Sequence, residues 1–336
     1  MFLAEEDLDR GIRSGETTYV ERLGQLGYHT SLVGKWHLGH GRKIFWPTKH
    51  GFDSFFGHTG GCIDFFRLDY GNQPDWYRGE HLDRPAGYAT DVITDEAIEQ
   101  LESCSASGQP FYLHLSYNAP HFGKGWDAAK NRTENVMQPK ASDLERVRGI
   151  SDPLRKAFAA KVIGMDEGIG RVLSKIDQLG LRENTLVVFM TDHGGDPDFG
   201  GSNLPYRGSK ATLYEGGLRV PCIVRWPGRV RAASVSNEVA CAVDWFATFG
   251  AMMGYPVNAT DGVDLSPVLF DAVATQRFAE RTLVWKTGAH QELGRKSWQA
   301  VRKGPSDERG KDPTKHCPAA MLARRSSNRH LRLVNF

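Results

Sequence analysis

The segment Gly34-Lys35-Trp36-His37-Leu38-Gly39 sets a lysine and a histidine two positions apart, so on an extended backbone both side chains leave the same face. An ammonium charge and a directional imidazole donor presented together can grip the oxygens of a small anion, and the flanking glycines let the backbone come close to it. A second cluster, Asn118-Ala119-Pro120-His121, ends in a rigid turn that delivers one histidine, a group suited to anion binding or to acid/base work near neutral pH. In a third, Thr191-Asp192-His193-Gly194-Gly195, a carboxylate and an imidazole stand side by side as candidate ligands of a divalent metal. Lys210, in the run Tyr206-Arg207-Gly208-Ser209-Lys210, could return to neutralise the bound anion. Each cluster alone also fits an ordinary turn or a structural histidine; their order and separation carry the signal.

Elements that could position these side chains are legible as periodicity. Val20, Leu23 and Leu26 mark one face of a helix over 18–26 that Gly27 stops, and a strand over 30–33 leads into the lysine–histidine pair. A helix over 91–101, with Val92, Ala97, Ile98 and Leu101 inward, precedes the apolar strand 111–117 that leads into the second cluster. The longest helix is expected over 155–179, with Phe158, Val162, Met165, Ile169, Val172 and Ile176 inward; Gly180 ends it, and the apolar strand 185–190 runs straight into the third cluster. Strands alternating with amphipathic helices predict an α/β fold with a mainly parallel sheet, in which ligand sites lie at the carboxyl ends of the strands.

Composition excludes more than it suggests. The 336 residues, 40% hydrophobic and 24% charged, are those of an ordinary globular chain, and the net charge of +2 is too mild to argue for nucleic acid. Five cysteines (Cys62, Cys104, Cys222, Cys241, Cys317) without C-x-x-C spacing speak against a disulfide framework and a structural zinc site. No apolar run reaches the length of about eighteen residues that a membrane helix needs, and the first ten residues lack the basic start and apolar stretch of an export signal.

Taken together, the three clusters resemble the sulfatase family, the arylsulfatase-like branch of the alkaline-phosphatase-like superfamily. The resemblance spans about 17–304 and is carried by TYVERLGQLGYHTSLVGKWHLGH, FWPTKHGFDSFFG, FYLHLSYNAPHF, MDEGIGRVLSKIDQLG, TLVVFMTDHGG and YRGSKATLYEGGLRVPCIVRWPG. It implies one α/β domain over 1–304, a mostly parallel central sheet flanked by helices on both faces, with its C-terminal subdomain incomplete. By the same resemblance Lys35 and His37 contact the sulfate and the nucleophile, His121 binds sulfate or protonates the leaving oxygen, and Lys210 bridges sulfate and leaving group. Asp192 and His193 fall on metal-ligand positions, the metal being Ca2+ or, in some members, Mg2+. The implied reaction is sulfate-ester hydrolysis through a covalent sulfo-enzyme intermediate, on a sulfated small molecule or glycan, with no nucleic-acid partner and no membrane span. Family members are mostly periplasmic, secreted or lysosomal. Two other readings stay open: a non-catalytic anion-binding derivative, and a related phosphodiesterase or phosphonate monoester hydrolase.

The departures are equally specific. The family nucleophile, formylglycine, is made from the first residue of a C/S-x-P-x-R motif that precedes the position of Lys35, and none of the five cysteines begins one. Ser151-Asp152-Pro153-Leu154-Arg155 matches by letters but lies after His121, where it reads as a capped helix start. The expectation is thus a chain truncated at its N-terminus, inactive as it stands, with a weakly held metal, an unpaired sheet edge and poor stability. Residues 305–336 show no family pattern and are expected to be a disordered or frameshifted tail. The segment 64–87, with Tyr70, Trp76, Tyr77 and Arg78, is a candidate lining for the mouth of the site.

Overall fold

Thr18 and Glu21 start the first helix by bonding each other's backbone: Glu21 N donates to Thr18 Oγ1 at 3.1 Å and Thr18 N to Glu21 Oε2 at 2.8 Å. The structure, a computed structural model, describes residues 7–13, 15–255, 257, 260–270, 282–287, 298–303 and 332–335. Their elements are α1 (Tyr19–Gln25), β1 (His29–Lys35), β2 (Ser54–His58), β3 (Asp69–Tyr70), β4 (Gln73–Pro74), β5 (Tyr77–Arg78), β6 (His81–Leu82), α2 (Ala89–Ser107), β7 (Phe111–Ser116), β8 (Gly123–Asp127) and β9 (Arg132–Val136). They continue with α3 (Ala141–Arg146), α4 (Pro153–Gln178), β10 (Thr185–Met190), α5 (Glu215–Leu218), β11 (Cys222–Arg225), α6 (Asp244–Met252), α7 (Ser266–Phe270), β12 (Thr282–Thr287), β13 (Trp298–Lys303) and β14 (Arg332–Asn335).

The chain divides into two units, and the division falls inside β10. The first comprises Met1–Leu186, Asp198–Gly200 and His330–Phe336; the second comprises Val187–Pro197 and Gly201–Arg329. In the first, the strands run in the order β14-β7-β1-β2-β5-β6. The pairs β14/β7, β7/β1 and β1/β2 are parallel, while β5 and β6 add a short antiparallel ribbon. Thr30, Ser31, Leu32 and Val33 are consecutive and all at most 2% exposed, so β1 is covered on both faces, as a central parallel strand must be. Helix α2 packs on β1 and β7, and α4 packs on α2. The second unit holds the antiparallel pairs β10/β11 and β12/β13.

Several expectations hold, and others need correction. Strands β1, β7 and β10 lie where the apolar runs put them, and Asp152 caps α4 through a 2.6 Å bond from Arg155 N, with Pro153 opening the helix. Leu26, expected inward, is 45% exposed because the helix ends before it. On α4 Val172 and Ile176 are buried as expected, but the other buried positions are Ala160, Lys161, Gly164 and Gly168, while Phe158, Val162, Met165 and Ile169 are only half-buried. Gly164 and Gly168 set that face: a Cβ there would crowd Asp143, Thr94 and Tyr117, so α4 lies close on its neighbours where it has no side chain. Within the expected tail, Arg332–Asn335 is a strand whose Leu333 and Val334 are 2% and 1% exposed. It pairs with β7 and occupies an edge that the sequence reading leaves open. Residues 305–331 and 336 lie outside the described residues. Trp76 is buried against Phe56, and Arg78 bonds Glu96 through both terminal nitrogens at 2.9 and 2.7 Å. Trp76 therefore packs in the core, while Arg78, its side chain 55% exposed, pairs from the surface with a buried carboxylate. Cys62 and Cys104 are buried and Cys222 and Cys241 partly exposed, with no disulfide among the described residues, and Cys317 lies outside them. No helix among the described residues is long and apolar enough to cross a membrane.

Candidate functional site

In the first unit the chain emerging from β1 is held by the turn that follows β2. Lys35 stands opposite His58 in the parallel register, Trp36 N donates to His58 O at 3.0 Å, and His37 N donates to Thr59 O at 3.2 Å. His37 adopts φ 55°, a left-handed conformation uncommon for a side chain of its size, and its ring lies over Gly61, where a Cβ would stand 2.7 Å from Nε2. Gly34, at φ 110°, has no alternative: a Cβ there would fall on the Ser116 carbonyl oxygen of β7.

The turn 58–61 is itself clamped from below by a carboxylate. Asp75, 8% exposed, accepts from Thr59 N at 3.0 Å, Thr59 Oγ1 at 2.7 Å and Gly60 N at 2.8 Å. Burial raises its pKa, and those donors work in the opposite direction. His58 is fully buried; its Nδ1 donates to Gly60 O at 3.1 Å, because a carbonyl can only accept, which leaves Nε2 as the bare nitrogen. Desolvation first, then the nearby charge of Lys35, pushes its pKa down to about 3, so the ring is neutral at physiological pH. Its Nε2 and the nearby Trp76 Nε1, with ring centres 6.0 Å apart, are both buried without a hydrogen-bond partner among the described residues.

His121 follows the carboxyl end of β7, the strand beside β1. Its N donates to Asn118 O at 3.0 Å and its Nδ1 to Phe122 O at 3.0 Å, so Nε2 is again the nitrogen that can exchange a proton. Lys35, His37 and His121 thus stand at the carboxyl ends of two adjacent parallel strands, the place where such sheets bind ligands. Donors carried at such strand ends can hold an anion, and a fixed imidazole can pass a proton to or from it.

In the second unit the loop after β10 is laced by backbone bonds. Asn203 bonds Gly195 reciprocally, accepting from its N at 2.7 Å and donating to its O at 2.9 Å. Lys210 N donates to the same Gly195 O at 3.2 Å, and Gly194 N donates to Gly217 O at 3.1 Å. A Cβ on Gly194 would fall on the Gly216 carbonyl oxygen. Asp192, His193 and Lys210 therefore share one loop cluster. His193 Nδ1 donates to Gly194 O at 2.9 Å, which leaves Nε2, 3.2 Å from Asp192 Oδ2, able to face the same cation as that oxygen. The Asp192 side chain is 77% exposed, and the pair supplies two of the roughly six to eight donors that calcium takes. Among the described residues no group of three or more His, Cys, Asp or Glu is gathered to hold a metal. By themselves Asp192 and His193 do not fit a closed calcium or magnesium site.

Sequence reasoning left out His58, Asp75 and Lys161, buried groups that bond or pack against the segments carrying the candidate residues. The glycine-bounded histidine of Gly57-His58-Thr59-Gly60-Gly61, directly after an apolar run, is a signal for the first; the other two have none.

A family model described as Sulfatase matches residues 4–255. The N-acetylgalactosamine-6-sulfatase of Mus musculus is 31% identical over 283 residues, covering 79% of this chain and 51% of that protein. Arylsulfatase J of Mus musculus is 30% identical over 271 residues, covering 77% of this chain and 43% of that protein. The chain thus spans about half the length of the curated relatives it matches. Among solved structures, Ps i-CgsB in complex with k-i-k-neocarrahexaose superposes with a TM-score of 0.76 at 26% identity, covering 88% of this chain and 65% of that one.

Proposed function

The chain belongs to the sulfatase family, and on that premise we propose that it carries the anion-holding part of an enzyme that hydrolyses a sulfate ester on a sugar. The observation that carries this reading is the setting of Lys35 and His37 at the end of β1, beside the strand whose end presents His121 in a fixed tautomer. Lys35 and His37 offer donors to sulfate oxygens, and an ammonium there lowers the cost of the charge that builds on the transferring group. His121 Nε2 receives or returns the proton of the ester oxygen. Within the second unit, Lys210 offers an ammonium, and Asp192 and His193 offer donors toward a divalent cation. A sugar substrate is supported by the names of the proteins this chain resembles, an N-acetylgalactosamine-6-sulfatase and a structure in complex with an oligosaccharide.

The family's covalent nucleophile comes from a motif whose cysteine form this sequence does not contain, so the 336-residue chain is expected to bind sulfate without turning esters over. The test compares this chain with any longer product of the same gene that carries C-x-P-x-R, using galactosamine 6-sulfate and p-nitrophenyl sulfate against bis-p-nitrophenyl phosphate. Release of sulfate by the longer product, lost in Lys35→Ala and His121→Ala, is the expected result. A longer product that cleaves the phosphodiester and neither sulfate ester contradicts the proposal.

A further inference from the structure

Helix α4 buries a lysine on a face otherwise made of small and apolar residues. Lys161 is 1% exposed, alongside Ala160, Gly164 and Gly168. Its Nζ donates to the backbone carbonyl oxygen of His121 at 2.6 Å and lies 3.2 Å from the centre of the Phe65 ring. Asp64, whose charge it feels, has committed its carboxylate to Phe66 N, Arg67 N and Gln138 Nε2. Desolvation holds the amine well below its ordinary pKa, yet neutral or ionised it keeps an N–H to donate. Methionine, of similar length and apolar, would fill the same space with no amine to desolvate. What lysine supplies and methionine cannot is a donor to the loop that carries His121.

We propose that Lys161 is a positioning residue, a clamp from α4 on the His121 backbone that fixes where the imidazole stands. The inference rests on the sulfatase reading and extends it from groups that meet the anion to one that sets their geometry. The local bonds to Asn118 O and Phe122 O, and the packing of the His121 ring on Phe122 at 4.1 Å, hold the loop within itself. Lys161 ties it to a helix forty residues further along the chain. Removing that tie leaves the turn folded but free to shift as a body, and a displacement of about 1 Å in a catalytic group costs up to roughly a hundredfold in rate.

Lys161→Met and Lys161→Gln in the 336-residue chain provide the test, read by thermal melting and by the NMR signals of the His121 ring. Lys161→Met is expected to melt at or above the wild-type temperature, because a desolvated amine has been removed. Its His121 signal shifts and broadens as the loop moves, with the Nδ1–H tautomer kept by the local bond to Phe122 O, while Lys161→Gln, which keeps a donor, falls between. In a product carrying the C-x-P-x-R motif, kcat falls about tenfold or more while KM stays within about twofold. A Lys161→Met chain that melts lower with its His121 signal unchanged makes the lysine a packing element and overturns the proposal, as does an unchanged kcat. Should the wild-type product hydrolyse no sulfate ester, the functional reading fails alone, and the His121 signal still decides the role of Lys161.

Discussion

The loop around Lys35 and His37 and the loop around Asp192 and His193 are built on opposite plans. The first is fixed by buried side chains: Asp75 grips the 59–60 turn, neutral His58 stands behind Lys35, and Lys161 holds the His121 loop. The second is fixed by backbone, with Gly194, Gly195 and Lys210 laced through main-chain atoms and Asn203, while the Asp192 side chain remains 77% exposed. A loop of the first kind is pre-organised without ligand and carries desolvated groups at a cost in stability; one of the second kind carries its ligand donors in water. Substitutions and acid should therefore strike the first loop harder.

The largest contrast is expected from two glycines. Gly34→Ala combines a positive φ with a collision on Ser116 O and should cost about 4 kcal/mol in urea melts. Gly194→Ala carries the collision without the positive φ and should cost about half as much. Equal losses would mean that the two loops are equally rigid.

Acid gives the next effect. Burial holds the His58 pKa down at about 3 against its ordinary value of 6.5, so between those values the unfolded chain binds more protons. Stability from this group is complete above pH 6.5 and is lost as pH falls toward 3. At pH 4 the loss is about 3 kcal/mol, and His58→Phe should flatten that part of the stability–pH curve. A curve with the same slope in the variant would assign the acid sensitivity elsewhere.

The smallest effect belongs to the second loop. Asn203→Ala removes both bonds to Gly195 and should cost about 1 to 2 kcal/mol, appearing mainly as faster hydrogen exchange at the Gly195 and Lys210 amides. Exchange unchanged at both amides would show that the other backbone contacts suffice.

The same contrast governs what could be read from the sequence. Strands β1, β7 and β10 and the capped start of α4 follow from apolar runs and from Asp152-Pro153, because those signals are local. Lys35, His37, His121, Asp192 and His193 stood out as candidates because they sit in short glycine- or proline-bounded segments at or after the ends of strands, and Lys210 because it follows Gly208 in the loop between β10 and β11. Their supports were not. The buried face of α4 is set by Gly164 and Gly168, which carry no hydrophobic signal, so Lys161 reads as a solvated helix residue until its neighbours are placed. Asp75 lies sixteen residues from the turn it holds, and β14 pairs with β7 across more than two hundred positions; no local pattern reports such distances.

The central claim is that His37 and His121 belong to one pre-organised anion set. Titration of the 336-residue chain with sulfate, followed through the ring signals of both histidines, tests it most directly. The account predicts that the two signals move with a single shared dissociation constant and that Lys35→Ala weakens both together. Separate constants, or a His37 signal that moves while His121 stays still, would contradict it.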